Sequence, residues 1–507
     1  MGFMAQKFFI TTAIPYTNAE PHIGHLLEFI QADVIARYQK LQGKDVFFLT
    51  GTDEHGIKIA ESAEKQGVAP QQFVDAVSAK FREGADALNV EYSYFIRTTD
   101  KQKHWPNVDK IWRAMVQEGD IYKGHYTGKY CVGCEKYLVA NDMDEQGSCL
   151  IHKKAPVLID EDNYFFKLSK YQKQLRDLIE SGNLKIVPEF RKAEVLSFID
   201  QGLQDISFSR PKEKLAWGIP VPDDESQVIY VWADALTNYL SGVDYANAGA
   251  TFQRFWPPDV QVVGKDIWRF HALYWPAMLM SAHLPLPKTL VIHGFLTKDG
   301  EKISKSLGNV ISPIDIMQKF HVHADALRYF FLREVPPFSD GDYTDARFVE
   351  RYNGDLANGV GNLTSRVAKL GSLSESGITL GANDMQDAIS QAWSAYQTAM
   401  DGYLFNDALE AIQRLVSVAD EYVNTHKPWA LLKAGDEASL KEFENRLSSL
   451  VFVLGNIGWL LMPFMPWNSE RILEIAGLGM QGQGTWQGKH IKLEPAPALF
   501  LRIQPTN

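Results

Sequence analysis

Short apolar runs and helical patterns alternate through the first part of the chain. Residues 7–14 form an apolar, β-prone run closed by Pro15, and a helical pattern follows over about residues 24–42. Residues 45–49 form a second apolar run, ending in Thr50-Gly51-Thr52. Strand, helix, strand predicts the opening of a parallel α/β sheet, a fold that binds ligands at the carboxyl ends of its strands. The loops at 14–25 and 50–56 are therefore the expected sites of chemistry. From about Tyr122 the pattern changes: Cys, Gly and Asp cluster up to His152, as in an insertion. Strand-like runs return at 228–232, 260–263 and 289–293. Beyond about Gly359 the periodicity is helical. Ile389, Trp393, Tyr396 and Met400 share one helix face, as do Ala408, Ile412, Leu415, Ala419 and Tyr422, which predicts an α-bundle. Residues 477–507 are Gly-rich and then apolar, and their pattern assigns no element.

The uncharged run at 447–469 is long enough to span a bilayer. Pro463 and Pro466 end any helix near Met462, and Gly455, Asn456 and Gly458 interrupt the apolar character, so a buried bundle helix is expected instead. No apolar leader precedes the first strand, and the protein is expected in the cytoplasm, without membrane contact. The 507 residues suit about three domains. A net charge of −11 argues against a non-specific nucleic-acid coat but leaves a site-specific RNA binder open.

Two motifs carry candidate chemistry. Pro21-His22-Ile23-Gly24-His25 follows the first strand and opens a helix, where free N–H groups and the helix dipole favour anions. The imidazole donors can stabilise charge developing on phosphoryl oxygens. Lys302-Ile303-Ser304-Lys305-Ser306 lies between Gly300 and Gly308, and its lysines can meet a polyphosphate as point charges. Alone, each is also compatible with a surface turn; together and in this order they point to nucleotide chemistry. Cys131-x2-Cys134-x14-Cys149-x2-His152 uses all three cysteines of the chain. Three thiolates and an imidazole suit a closed tetrahedral zinc site, hence a structural one.

The paired motifs resemble the HIGH and KMSKS signatures of class I aminoacyl-tRNA synthetases. Ala13-Ile14-Pro15-Tyr16, Thr52-Asp53-Glu54-His55-Gly56, the run Tyr230 to Ala235 and the run Phe270 to Pro276 narrow the resemblance to the methionyl-tRNA synthetase family, over about residues 7–475. The resemblance implies an α/β fold: a Rossmann-like parallel-sheet catalytic domain with an inserted zinc-knuckle connective domain, followed by an all-α anticodon-binding bundle. The implied boundaries are 1–121 and 228–296 for the catalytic halves and 122–227 for the connective insertion. The KMSKS and stem-contact region takes 297–358, the anticodon-binding bundle 359–475, and the tail 476–507.

It also implies ATP, L-methionine and tRNA(Met) as partners, Mg²⁺ with the ATP, and one structural zinc. For ATP the matching positions are His22, Gly24, His25 and Glu28, then Gly264 and Asp266 beside Lys265, then His293, Gly294, Leu296, Lys302 and Lys305. Of these, His22, His25, Lys302 and Lys305 are the expected catalytic groups. For methionine they are Ile14, Tyr16, Asp53, Ala235, Leu236, Tyr239, Ile267, His271 and Trp275, with Asp53 facing the ammonium. For the anticodon they are Asn362, Arg366 and Trp429. Two positions depart from the family pattern. Ile303 replaces a methionine and keeps the apolar anchor, and Leu236 stands where some members have proline. The chain ends soon after the bundle, and a monomer is expected. Open alternatives are a class I synthetase for another amino acid, a small-molecule adenylyltransferase, and a tRNA-binding paralogue without activity.

Overall fold

In the computed structural model the described residues are 5–131, 136–138, 142–150, 153–303, 308–381, 383–480 and 486–504. They form two compact units, each assembled from separated stretches of chain. The first takes in residues up to 21, 43–83 and 91–292; the second takes in 22–42, 84–90 and 293 onward.

The first unit is built on six strands: β1 (Lys7–Thr12), β2 (Asp45–Thr52), β3 (Tyr94–Arg97), β4 (Lys185–Val187), β5 (Val260–Gly264) and β6 (Thr289–His293). Their order across the sheet is β3-β2-β1-β5-β6-β4. β1 pairs in parallel with β2 and β5, β2 with β3, and β6 with β4. Phe9, Ile10, Phe48, Leu49, Val262 and Val263 are fully buried, the near-continuous apolar reading of a sheet covered on both faces. Gly51 is needed at the β2–β3 contact, because a Cβ there would lie 2.0 Å from the Ile96 carbonyl oxygen. A four-stranded antiparallel sheet is dominated by the long pair Ile121–Cys131 and Val157–Phe166.

One expectation is corrected. Residues 228–232 are not a strand of the parallel sheet. Asp224–Ile229 forms a strand in a separate antiparallel sheet, and a helix starts at Val231. A short apolar run fits strand or buried helix equally, and Tyr230, extended at the N-cap, marks the change. The sheet also gains an edge strand, β4, whose three residues are too few to show a period.

The second unit begins with helix α1 (Ile23–Leu41), buried through most of its length. Asp33 in its middle accepts hydrogen bonds from Arg328 Nη2 at 2.6 Å and Arg37 Nε at 2.7 Å. Arg328, fully buried in α2 (Ala324–Glu334), also donates to the carbonyls of Leu88, Pro463 and Phe464. Both charges are thus buried as a hydrogen-bonded pair, the condition under which burial is tolerated.

The later helices are α3 (Asn362–Gly371), α4 (Gln386–Asp401), α5 (Phe405–His426), α6 (Pro428–Ala434), α7 (Glu437–Leu461) and α8 (Pro466–Ile475). Ile389, Tyr396, Met400, Ala408, Ile412, Leu415 and Ala419 are buried, and Trp393 and Tyr422 half-buried, so the two apolar faces read from the sequence face the core with these two rings at its margin. The uncharged run at 447–469 ends its helix at Leu461, as its prolines require. Among the described residues no helix is long and apolar enough to cross a membrane. The unassigned tail packs on the bundle. Ile491 pairs with Ile378, and Trp486 and Leu493 are buried against Gly455 and Gly371, where any Cβ would lie within 2.4 Å of a neighbour.

Candidate active site

In the first unit, the carboxyl ends of β1 and β2 are joined side by side. Thr12 Oγ1 lies 2.6 Å from Thr50 Oγ1. The loops beyond them continue the pairing: Asp53 N donates to Pro15 O, and Thr17 N to Asp53 O, both at 2.9 Å. Asp53 is thereby held beside Tyr16, 6% exposed, at the strand end. The next residues are clamped. Glu54 accepts from Arg97 Nε at 2.7 Å and Nη2 at 2.9 Å, and from the hydroxyls of Thr52 and Thr99. Trp217 Nε1 donates to Glu54 O at 2.6 Å, and Gly56 N to Trp217 O at 3.2 Å. Gly56 sits at φ 116°, a conformation that needs glycine.

Ile14, Tyr16, Leu236, Tyr239, Ile267 and Trp275 belong to one apolar cluster of this unit. Ala235 and His271 are buried beside them in sequence, and Tyr239 links to His271. Burial lowers the His271 pKa to about 4, so the ring is neutral near pH 7. Its Nδ1–H donates to Ile267 O at 3.0 Å, which leaves Nε2 to accept the Tyr239 hydroxyl at 2.7 Å. The phenol oxygen keeps its lone pairs. Among the described residues the buried Trp275 Nε1 has no hydrogen-bond partner. Gly264 closes β5, and Asp266 stands exposed two residues on, beyond the carboxyl end of the strand.

In the second unit, two imidazoles cap α1 reciprocally. His22 Nδ1 accepts from Gly24 N at 3.1 Å, and His25 Nδ1 accepts from His22 N at 3.3 Å. Their rings stack at 3.8 Å between centroids. Burial lowers the His22 pKa to about 4, helped by the Lys302 charge, and that of His25 to about 3, helped by His22. Both rings are neutral near pH 7, and with Nδ1 accepting, each carries its proton on Nε2. A helix N-terminus with two N–H-bearing imidazoles suits phosphoryl oxygens. Glu28, one turn along, accepts from His293 Nε2 at 2.8 Å. Gly294 admits no side chain, since a Cβ would lie 2.1 Å from Ser339 O, and Leu296 is buried. Lys302 is exposed and Ile303 buried, so isoleucine anchors this turn. Lys305 lies outside the described residues.

The depressed histidines tie stability to pH. His22, His25 and His271 titrate near 6.5 when unfolded and near 4, 3 and 4 when folded. Between these values the unfolded chain binds more protons, so their contribution is full above about pH 6.5 and declines as pH falls toward 4. Calorimetric midpoints should be level from pH 8 to 7 and fall from 6.5 to 5, a window where carboxylates of ordinary pKa stay ionised. His271→Gln should shallow that slope; an unchanged slope would disprove the contribution.

Comparison with known proteins narrows these geometries to one family. The sequence pattern of the family described as tRNA synthetases class I (M) matches residues 8–149 and 140–368. The methionine–tRNA ligase of Brucella suis is 42% identical over 486 residues, 93% of this chain and 92% of its own. That of Thermotoga maritima is 40% identical over 92% of this chain and 74% of its own. The methionyl-tRNA synthetase of Mycobacterium tuberculosis, solved in complex with methionyl-adenylate, superimposes with a TM-score of 0.91 at 37% identity, over 98% of this chain and all of that one. The chain belongs to the methionyl-tRNA synthetase family. The α/β fold with its helical C-terminal region is that of the family.

The residues read as tRNA contacts of a methionyl-tRNA synthetase lie on the bundle. Asn362 is exposed at the start of α3. Arg366, one turn on, donates to Asp420 Oδ1 and Asn424 Oδ1, both at 2.8 Å, so its guanidinium is engaged within the bundle. Trp429, on α6, is 38% exposed and presents a stacking surface. Of the zinc set, Cys131 and Cys149 are buried in one small cluster with Leu138 and Met143. Cys134 and His152 lie outside the described residues, and among the described residues no group of three or more potential ligands is arranged around a metal position.

The structure adds residues that the motifs did not single out. Glu54, Arg97, Trp217, His55, His104 and Asp234 hold the loop that carries Asp53. Glu54, His55 and Asp234 stand inside the runs that gave the family resemblance, yet Arg97 and Trp217, which bond Glu54, and the mutual bonds of His55, Asp234 and His104 come from 43 to 179 residues away in sequence.

Proposed function

We infer that the chain activates L-methionine with ATP, giving methionyl-adenylate and pyrophosphate, and then transfers methionine to the 3′-terminal ribose of tRNA(Met). The observation that carries this reading is the buried Asp53 carboxylate at a strand end of a unit whose apolar cluster includes Tyr16, Tyr239 and Trp275. An acidic group suits the methionine ammonium, and aromatic edges suit a thioether. The methionine carboxylate attacks the α-phosphorus in line, the bond to the bridging oxygen breaks, and pyrophosphate leaves. No protein nucleophile is needed, so the protein's part is positioning and charge stabilisation. The Nε2–H groups of His22 and His25 and the ammonium groups of Lys302 and Lys305 meet the phosphates. Asp266 meets the ribose, and His293, Gly294 and Leu296 meet the base. Mg²⁺ neutralises charge on the triphosphate.

The test is ATP–pyrophosphate exchange with each of the twenty amino acids. Exchange with methionine alone supports the reading, exchange with another overturns the pocket, and none at all favours a tRNA-binding paralogue.

Zinc is assigned to Cys131, Cys134, Cys149 and His152, supported by the two buried cysteines in one cluster. Four protein donors leave no open position, so the metal holds the insertion together. One zinc per chain is expected by elemental analysis of untagged protein, falling to none with loss of the insertion's fold in Cys131→Ser/Cys149→Ser. Thiolate ligands suit the reducing cytoplasm, and the enzyme is assigned there as a monomer, which light scattering checks.

Asn362, Arg366 and Trp429 are assigned to the anticodon. Residues 356–507 carry 11 Lys and Arg against 15 Asp and Glu, so the bundle has no basic excess and base contacts must supply the selectivity. Trp429→Ala should reduce kcat/KM for tRNA by about 10- to 100-fold through lost stacking and leave pyrophosphate exchange unchanged. Equal loss in both assays would refute the assignment.

A further inference from the structure

In the first unit lies a buried polar cluster with no part in the chemistry above. Asp234 is fully buried in the helix Val231–Leu236 and uses both carboxylate oxygens. Oδ2 accepts from His55 Nδ1 at 2.7 Å, and Oδ1 accepts from His104 Nε2 at 2.6 Å. Burial works against the charge of Asp234, yet the two imidazoles hold its pKa below the usual range, so it stays a carboxylate. His104, also fully buried, has its Nδ1 2.9 Å from Ser241 Oγ, and Ser241 Oγ donates to Thr237 O at 3.0 Å. The His55 ring stands edge-on to Trp217 and Trp105, at 5.5 and 6.3 Å between centroids.

One carboxylate therefore ties three segments together. His55 belongs to the clamped loop of Asp53, assigned to the methionine ammonium. Ala235 and Leu236, assigned to the side chain, directly follow Asp234 on its helix. His104 stands at the start of the helix Trp105–Gln117. We propose that Asp234 and His104 are positioning residues that fix the spacing between the ammonium contact and the side-chain wall, and thereby select the length of the amino acid. The inference rests on the methionine reading above. Apolar packing of equal volume would serve stability as well or better; a charged, directional cluster specifies one geometry. A wall held this way rejects a side chain differing by one methylene by about 10- to 200-fold, and a loosened wall gives up part of that ratio.

The experiment is pyrophosphate exchange by the full chain with methionine, with ethionine (one methylene longer) and with S-methylcysteine (one shorter). In His104→Ala the preference for methionine over ethionine should narrow by about tenfold. KM for methionine should rise while KM for ATP holds. His104→Gln, whose amide can donate to Asp234 Oδ1, should restore most of the preference. Asp234→Asn keeps the side-chain shape and should narrow the preference in the same direction, so it carries the test if His104→Ala does not fold. Equal loss for all three amino acids in the variants, or a rise in KM for ATP matching that for methionine, would overturn the proposal. If the unsubstituted protein gave no methionine-dependent exchange, the methionine reading itself would fall, and this inference with it.

Discussion

Asp53→Asn should lower kcat/KM for methionine in pyrophosphate exchange by about 10²- to 10³-fold, the cost of removing one partner of a buried, hydrogen-bonded charge pair. The side chain is 6% exposed, so water does little to replace it. Its backbone is held from both sides by Pro15 O and Thr17 N, bonds that an asparagine backbone makes equally. The loss should fall mainly on KM for methionine, because the ammonium bears its charge before and after the chemical step. KM for ATP should be nearly unchanged, and the thermal midpoint should stay close to that of the parent. A variant with full methionine affinity would remove Asp53 from the ammonium and with it the orientation of the amino acid.

His25→Asn should have the opposite signature: kcat for adenylate formation falling by about 10²- to 10³-fold, the usual effect of losing one donor aimed at developing charge. Methionine affinity should hold. Asparagine keeps a short acceptor near the N-terminus of α1, so little of the loss should come from the cap. The ring of His25 is neutral, its pKa lowered to about 3 by burial, so it acts as a donor through Nε2–H and needs no proton uptake. The parent rate should accordingly show no inflection from His22 or His25 between pH 6 and 8. Single-turnover measurement of pyrophosphate release reads both effects. Unaltered kcat in His25→Asn would leave these imidazoles with only their capping role.

Local chemistry made several elements legible. The apolar β1 and β2, the helix after His22 and the paired faces of α4 and α5 follow from periodicity, because each must bury one continuous apolar surface. The prolines at 463 and 466 set the end of α7, since proline lacks the N–H and disfavours a helical residue before it. The position of two histidines around Gly24, just after the first strand, was legible as a helix start, and only its pairing with Lys302 and Lys305 pointed to nucleotide chemistry. The family resemblance was legible in short runs, because each of its motifs is a contiguous stretch of chain.

Other features had no local signal. β4 is three residues long and exists as a strand only because Thr289–Val291 offers an edge to pair with. The run at 228–232 divides between strand and helix by where Tyr230 falls, and apolar character alone does not distinguish the two. The tail beyond residue 477 has no period of its own; it is placed by Gly371 and Gly455, which leave room for Leu493 and Trp486.

By itself the sequence determined the class of fold, the family and the residue types available to hold methionine and ATP, because these are properties of short segments. Only the tertiary structure decided their state. The neutral rings of His22, His25 and His271 come from burial, which no short window contains. The clamp on Glu54 and the union of His55, Asp234 and His104 join residues 43 to 179 positions apart. Hydrogen bonds over such separations form only after the sheet has brought the segments together, so their geometry belongs to the fold and not to the motif.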